Sequence, residues 1–175
     1  MEPLGALSAP LGVVMVPGNH DHWYDWDALS QQLAKYPQMT VLVNEAAQFG
    51  PLAIGGVDDD FTGRADVGGT IEQMQALTGP RVILTHSPDI FPNVPTNVDL
   101  VLAGHTHCGQ IGYPQIGEWG GGAPATMSDY GAKYACGVVE EHGKTLVTSA
   151  GLGTSLLPVR LFTAPEIWLI EVRAE

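Results

Sequence analysis

Five of the six histidines in this 175-residue chain fall just beyond short apolar runs. Val13-Val14-Met15-Val16 leads into Gly18-Asn19-His20-Asp21-His22, Val82-Ile83-Leu84 into Thr85-His86, and Leu100-Val101-Leu102 into Gly104-His105-Thr106-His107. Apolar runs bounded by Gly or Pro read as buried strands, and the edge beyond strand C-termini is where open α/β sheets bind ligands. Imidazoles gathered at one such edge are the makings of a transition-metal site. In extended chain, residues two apart share a side, so His105 and His107 are expected to face one cavity while Thr106 turns away. They would share one ion or hold one each. His86 arrives from a neighbouring strand end, and Asn19 offers its amide oxygen from the first loop. Neutral nitrogen and oxygen donors suit zinc, manganese, iron, cobalt or nickel better than calcium. His20 would project toward whatever the ion holds and act as a general acid, with Asp21 to orient it. His22 and Trp23 read as loop packing.

The elements that must position these residues are short. Trp26 to Lys35 has the amphipathic spacing of a helix, opened by Asp25 or Asp27 and stopped at Pro37. Thr40 to Val43, Ala47 to Phe49 and Leu52 to Ile54 read as strands, with Gly50-Pro51 as the turn between the last two. Ile71 to Leu77 reads as a second helix ended by Gly79-Pro80. Lys133 to Val139, Thr145 to Thr148 and Ile167 to Val172 read as closing strands, with Glu141-His142-Gly143 as a hairpin turn. Between them lies a glycine-rich stretch, Gly109 to Gly131, centred on Gly120-Gly121-Gly122. Asp58-Asp59-Asp60, the densest acidic run, reads as a solvated turn. Arg160 is a candidate phosphate contact or a surface ion pair.

Composition narrows the class. One domain over residues 1–175 is the simplest division, large enough to bury a core without disulfides. Seven basic against nineteen acidic residues give a formal charge of -12, which repels nucleic acid and anionic membranes in bulk. A phosphate-bearing substrate then needs a local positive centre, and a bound dication is one. No run approaches the roughly 20 apolar residues of a membrane span, and the start does not read as a secretory signal. Cys108 and Cys136 read as two ordinary thiols of a reduced, cytoplasmic protein.

Gly18-Asn19-His20-Asp21, Thr85-His86-Ser87-Pro88-Asp89 and Gly104-His105-Thr106-His107 together resemble the later motifs of the calcineurin-like metallophosphoesterases. Gly109-Gln110-Ile111, Gly151-Leu152-Gly153-Thr154-Ser155 and Pro165-Glu166-Ile167 are similar to the branch of small bacterial phosphohydrolases, some of which cleave UDP-diacylglucosamine. The resemblance runs from Val13 to Val172. It implies an α/β fold, a β-sandwich flanked by helices in αββα layers, and hydrolysis of a phosphomonoester or phosphodiester by metal-activated water. It further implies that Asn19, His86 and His105 bind one metal, that His107 binds another, and that His20 is the acid beside the phosphate. The substrate would be a phosphorylated small molecule, lipid or nucleotide sugar.

The family's opening Asp-x-His and Gly-Asp-x-x-Asp motifs, which supply the remaining ligands and a bridging carboxylate, have no counterpart in Met1 to Leu11. The first strands of the sandwich are therefore expected to be missing, one ion is the expected number, and two an alternative. Cys108 also stands where the family has Gly. A dication held only by neutral Asn and His would keep its full charge and polarise water strongly. The competing reading is a catalytically poor metal- or phosphate-binding module that self-associates through an exposed sheet edge. Neither a Gly-x-Ser-x-Gly elbow nor a Walker loop occurs, and His105-Thr106-His107-Cys108-Gly109 lacks the His-x-His-x-Asp-His run of metallo-β-lactamases.

Overall fold

Val13–Met15 (β1) pairs in parallel with Met39–Val41 (β2), register Val13 to Met39. Six strands form a second sheet: Glu45–Phe49 (β3), Leu52–Val57 (β4), Arg81–Thr85 (β5), Leu100–Ala103 (β6), Gly137–Glu141 (β7) and Lys144–Thr148 (β8), in the order β3-β4-β5-β6-β8-β7. The computed structural model describes residues 5–113, 122–123 and 125–173. Its helices are Asn19–Tyr24 (α1), Trp26–Leu33 (α2) and Val67–Met74 (α3), with 3-10 turns at Pro88–Asn93 and His107–Gly109. The mixed α/β architecture is the expected one.

The four central strands β4, β5, β6 and β8 run parallel, so their C-terminal ends open on one edge. Two hairpins close the flanks. Gly50 (φ +55°) turns β3 into β4, and His142 (φ +55°) with Gly143 (φ +78°) turns β7 into β8. Both central residues of the second turn take the left-handed conformation that matches strand twist.

Layering is written into two adjacent glycines of β4. A Cβ on Gly55 would meet Met74 Sδ of α3 at 2.7 Å, and one on Gly56 would meet Leu42 Cβ at 2.3 Å and Val16 Cγ1 at 3.0 Å. Successive strand residues face opposite sides, so α3 lies on one face of the large sheet and the end of the small sheet on the other. The buried cluster that includes Val57, Met74, Ile83, Phe91, Val101, Tyr134 and Leu146 fills the α3 side. On the opposite face Ile54, Leu84 and Leu102 are only half-buried.

The helices sit slightly off their predicted bounds because caps decide the ends. The Asp25 carboxylate accepts Ala28 N–H at 2.9 Å and starts α2, which stops at Leu33 rather than Lys35. Helix α3 begins at Val67, four residues before the predicted Ile71, because Asp66 accepts Gly69 N–H at 2.8 Å. Any Cβ at Gly69 would lie 2.3 Å from that carboxylate. Poor helix formers are tolerated there because the cap needs the space. Buried Lys144 donates to Phe91 O and Val94 O, holding the end of the Pro88–Asn93 turn.

Two expectations fail. Ile167 to Val172 does not form a strand: Ile167 and Leu169 are 79% and 99% exposed, and no ladder partner lies beside them among the described residues. A strand needs a partner for its N–H and C=O groups, whatever its side-chain alternation. Of the glycine-rich stretch, residues 114–121 and 124 lie outside the described residues. Beside the gap, Tyr113 bridges Gly122.

Cys108 and Cys136 form a disulfide rather than standing as two thiols. Their separation of 28 residues hides the pairing in sequence, and the fold brings them together by docking Thr106 Oγ1 on Ala135 O at 2.6 Å. The disulfide also removes the cysteine argument for a reduced compartment. Because it closes a loop of that length, Cys136→Ser is expected to cost about 3 to 4 kcal/mol of stability on chain-entropy grounds. Thermal unfolding checks this: the variant should melt several degrees lower without reductant, and dithiothreitol should erase most of the difference.

Candidate metal centre

Three strand-end turns bring the predicted donors together. His86 follows β5 and His105 follows β6, and Gly104 N–H donates to His86 O at 3.0 Å, locking the two turns side by side. Asn19 opens α1 rather than lying in a loop. The Gly18 N–H donates to Asp21 Oδ2 at 2.8 Å, which closes the first turn of that helix. Helical spacing then sends neighbouring residues different ways. Asn19 points inward and is 4% exposed, while His20, Trp23 and Tyr24 line the outer face. Asp21 is therefore committed to the turn at Gly18, not to the His20 ring.

His86 Nε2 lies 2.9 Å from Asn19 Oδ1 and 3.1 Å from His105 Nδ1. Burial pushes the His86 pKa down to about 4, with the His105 ring adding to the fall. Burial likewise lowers that of His105. Both rings are neutral near pH 7 and present lone pairs. With the Nδ1 lone pair of His105 turned inward, one ring nitrogen faces two acceptor atoms, and hydrogen bonding from it leaves at least one of them unsatisfied. A cation satisfies all three. With donors about 2.1 Å from an ion, adjacent ligands of an octahedral or tetrahedral shell are about 3.0 to 3.4 Å apart. The 3.1 Å separation falls inside that range and the 2.9 Å one just below it, so these residues fit a divalent transition ion. Among the described residues no three His, Cys, Asp or Glu side chains form a cage. The third donor is an amide.

The close approach depends on Gly18. Its missing Cβ would fall 2.7 Å from His86 Nδ1 and 2.8 Å from Cε1 and Cγ. This glycine is needed for space, since its φ of -120° suits any residue.

His107 does not join the group. The segment is a turn instead of extended chain, with His105 at φ +64° and His107 at φ +51°, so the alternation expected of a strand does not apply. Thr106 is buried, and His107 Nδ1 faces Arg160 Nη2 at 3.2 Å. Burial and then the guanidinium charge push the His107 pKa down. Arg160 is neither a surface ion pair nor turned toward the trio. Its guanidinium donates to the carbonyls of Ala150, Gly151 and Gly153 and ties that strip to the His107 turn.

His20 stands at the mouth, exposed, with Nε2 3.4 Å from Ser155 Oγ. The Trp23 ring meets it edge-on at 5.0 Å, and Tyr24 stacks at 6.3 Å. Phe61 covers the His105 ring at 4.8 Å.

The acidic run after β4 is not a solvated turn. Asp58 is 5% exposed and Asp59 0%. His22, predicted to be loop packing, has Nε2 2.6 Å from Asp58 Oδ1, and that oxygen also accepts Asp59 N–H at 2.7 Å. Sequence reasoning missed this pair. The available signal was Gly55-Gly56-Val57, a strand too tightly packed to end in open water. Asp60 is pushed above the usual carboxylate range by burial and by the charges of Asp89, Asp59 and Asp129.

Residues 1–109 match the calcineurin-like phosphoesterase family. The uncharacterized metallophosphoesterase YkuE of Bacillus subtilis is 30% identical over 98% of this chain and 59% of its own length. One from Aquifex aeolicus is 29% identical over 98% of this chain and 65% of its own, and the phosphodiesterase YaeI of Escherichia coli is 30% identical over 89% and 56%. The chain therefore spans roughly three fifths of the length of these relatives. No solved structure matches it. Among the described residues no helix is long and apolar enough to cross a membrane. A match over more than half of the chain, with a likeness to metallophosphoesterases along nearly all of it, establishes that this protein belongs to the calcineurin-like phosphoesterase family.

Proposed function

We propose that this chain hydrolyses phosphoesters with one divalent transition ion held by Asn19, His86 and His105, and with His20 as the proton donor to the departing oxygen. The observation that carries the reading is the meeting of three lone-pair donors at 2.9 and 3.1 Å around His86 Nε2. Such an ion, when bound, supplies Lewis acidity and makes water nucleophilic near neutral pH. His20 is suited to its part because it is exposed beside the centre and held between Trp23, Tyr24 and Ser155. Asp21 contributes by shaping the start of α1. Arg160 acts as a brace on His107, which leaves His107 as the ligand of a second ion only if that brace releases. The family implies a phosphorylated substrate; a small molecule, lipid or nucleotide sugar fits the chain's acidity, because the positive charge is local to the ion.

The test is a chelated sample returned to Zn²⁺, Mn²⁺, Fe²⁺, Co²⁺ or Ni²⁺ and assayed on p-nitrophenyl phosphate and bis-p-nitrophenyl phosphate. At least one metal should restore turnover, and the ratio of the two rates separates monoesterase from diesterase. His20→Ala should keep metal content unchanged while kcat falls by about 10² to 10⁴-fold. A second reading, a self-associating metal- or phosphate-binding module, draws on the open ladder of β1, paired among the described residues with β2 alone. One bound ion with no turnover on any phosphoester, in a chain of doubled solution mass, would favour it.

A further inference from the structure

We propose that Asp59 is a positioning residue of the metal centre: its Oδ1 accepts the Nε2–H of His105 when Nδ1 of that ring is turned to the ion. This rests on the metal reading above and extends it by one residue. Two buried atoms without partners carry the argument. His105 Nε2 and Asp59 Oδ1 are both sealed from solvent, and neither has a hydrogen bond among the described residues. Asp59 is wholly buried. A buried carboxylate oxygen or ring N–H is costly to leave unpaired, and of these two atoms one is an acceptor while the other carries the proton in one tautomer of the ring.

Imidazole chemistry provides it. His105 presents Nδ1 to His86 Nε2 and hence to the donor cluster. A neutral ring has one proton, and using Nδ1 as a ligand places that proton on Nε2, on the far side of the ring. Phe61, two residues beyond Asp59, covers that ring at 4.8 Å, and the Asp59 carboxylate is the largest opposing charge on it, with the Met127 backbone as a further polar neighbour. The rest of Asp59 is already fixed. Its Oδ2 accepts Thr62 N–H at 2.7 Å, its N–H goes to Asp58 Oδ1 at 2.7 Å, and its carbonyl accepts Arg64 N–H at 2.9 Å. Asp58 is held in turn by His22 at 2.6 Å. Oδ1 is the buried oxygen of Asp59 left without a partner among the described residues, and a carboxylate on the outer nitrogen fixes both tautomer and orientation of a ligand histidine. It also brings negative charge near an ion whose three donors are neutral, without occupying a coordination position.

The experiment uses the full 175-residue chain with Zn²⁺ as probe. Competition against a chelator gives Zn²⁺ affinity for the parent, Asp59→Asn, Asp59→Ala and His105→Ala, and ¹⁵N NMR of the Zn²⁺-loaded parent and Asp59→Asn reads the His105 ring. The expected results are a proton on His105 Nε2 that exchanges slowly in the parent and faster in Asp59→Asn. Zn²⁺ affinity should be about 10 to 100-fold weaker in Asp59→Ala, with a smaller loss in Asp59→Asn, whose amide oxygen can still accept. Parent-like affinity in Asp59→Ala overturns the assignment. So does a His105 ring protonated on Nδ1, or an Nε2 proton in the parent that exchanges as fast as that of a surface histidine. If Asp59→Ala fails to fold for want of the Thr62 contact, the parent and Asp59→Asn spectra decide. A parent chain that takes up no Zn²⁺ overturns the metal reading itself, which parent-like Asp59→Ala affinity would not.

Discussion

His86→Ala and His105→Ala are each expected to remove stoichiometric metal and turnover together. His86 Nε2 is the atom on which both short contacts converge, at 2.9 Å from Asn19 Oδ1 and 3.1 Å from His105 Nδ1. Taking away either ring leaves two neutral donors, too few to compete with water for a dication. Loss of an outer-shell partner alone weakens metal sites by about 10 to 100-fold, so loss of a ligand should exceed that. Metal analysis after dialysis and kcat/KM on bis-p-nitrophenyl phosphate measure the two effects side by side. The His20→Ala chain is the internal contrast, with metal retained and rate lost. Parallel retention of metal in His86→Ala and His105→Ala would sink the proposed centre.

Gly18→Ala is expected to weaken metal binding by about 10 to 100-fold although it deletes nothing. The added methyl would lie 2.7 to 2.8 Å from three ring atoms of His86. That ring cannot retreat without leaving Asn19 Oδ1. Overpacking of this kind costs about 1 to 3 kcal/mol, and each 1.4 kcal/mol is about tenfold in affinity. Backbone strain plays no part, because Gly18 has extended dihedrals. Gly68→Ala serves as the control: its Cβ would meet nothing nearer than Asp66 Oδ1 at 3.8 Å, and within α3 the change should leave metal affinity alone and raise stability by up to about 1 kcal/mol. The comparison is a chelator competition on the two variants, with circular dichroism to show that both remain folded.

Much of this architecture is written locally. The apolar runs ending at Val16, Leu84 and Leu102 mark strands whose sequels hold Asn19, His86 and His105, and the period of a buried strand is readable without its neighbours. Turn chemistry at Gly50-Pro51 and His142-Gly143 is equally local. Helix ends were less so: α3 began early because the Asp66 carboxylate and a glycine pair made a start that periodicity does not reveal.

Residue types and spacing alone determined the sheet class and the edge to which the histidines run, and nominated the donors proposed to hold a transition ion, because strand period and ligand chemistry are properties of short segments. Only the tertiary structure decided which of those donors meet. It put His107 against Arg160 because the chain turns at His105 with positive φ, and it buried Asp58 and Asp59 because β4 ends between packed layers. It joined Cys108 to Cys136 through the docking of Thr106, and it left Ile167 to Val172 without a ladder. Each of these outcomes is a contact between segments far apart in the chain, and periodicity holds no record of distant partners.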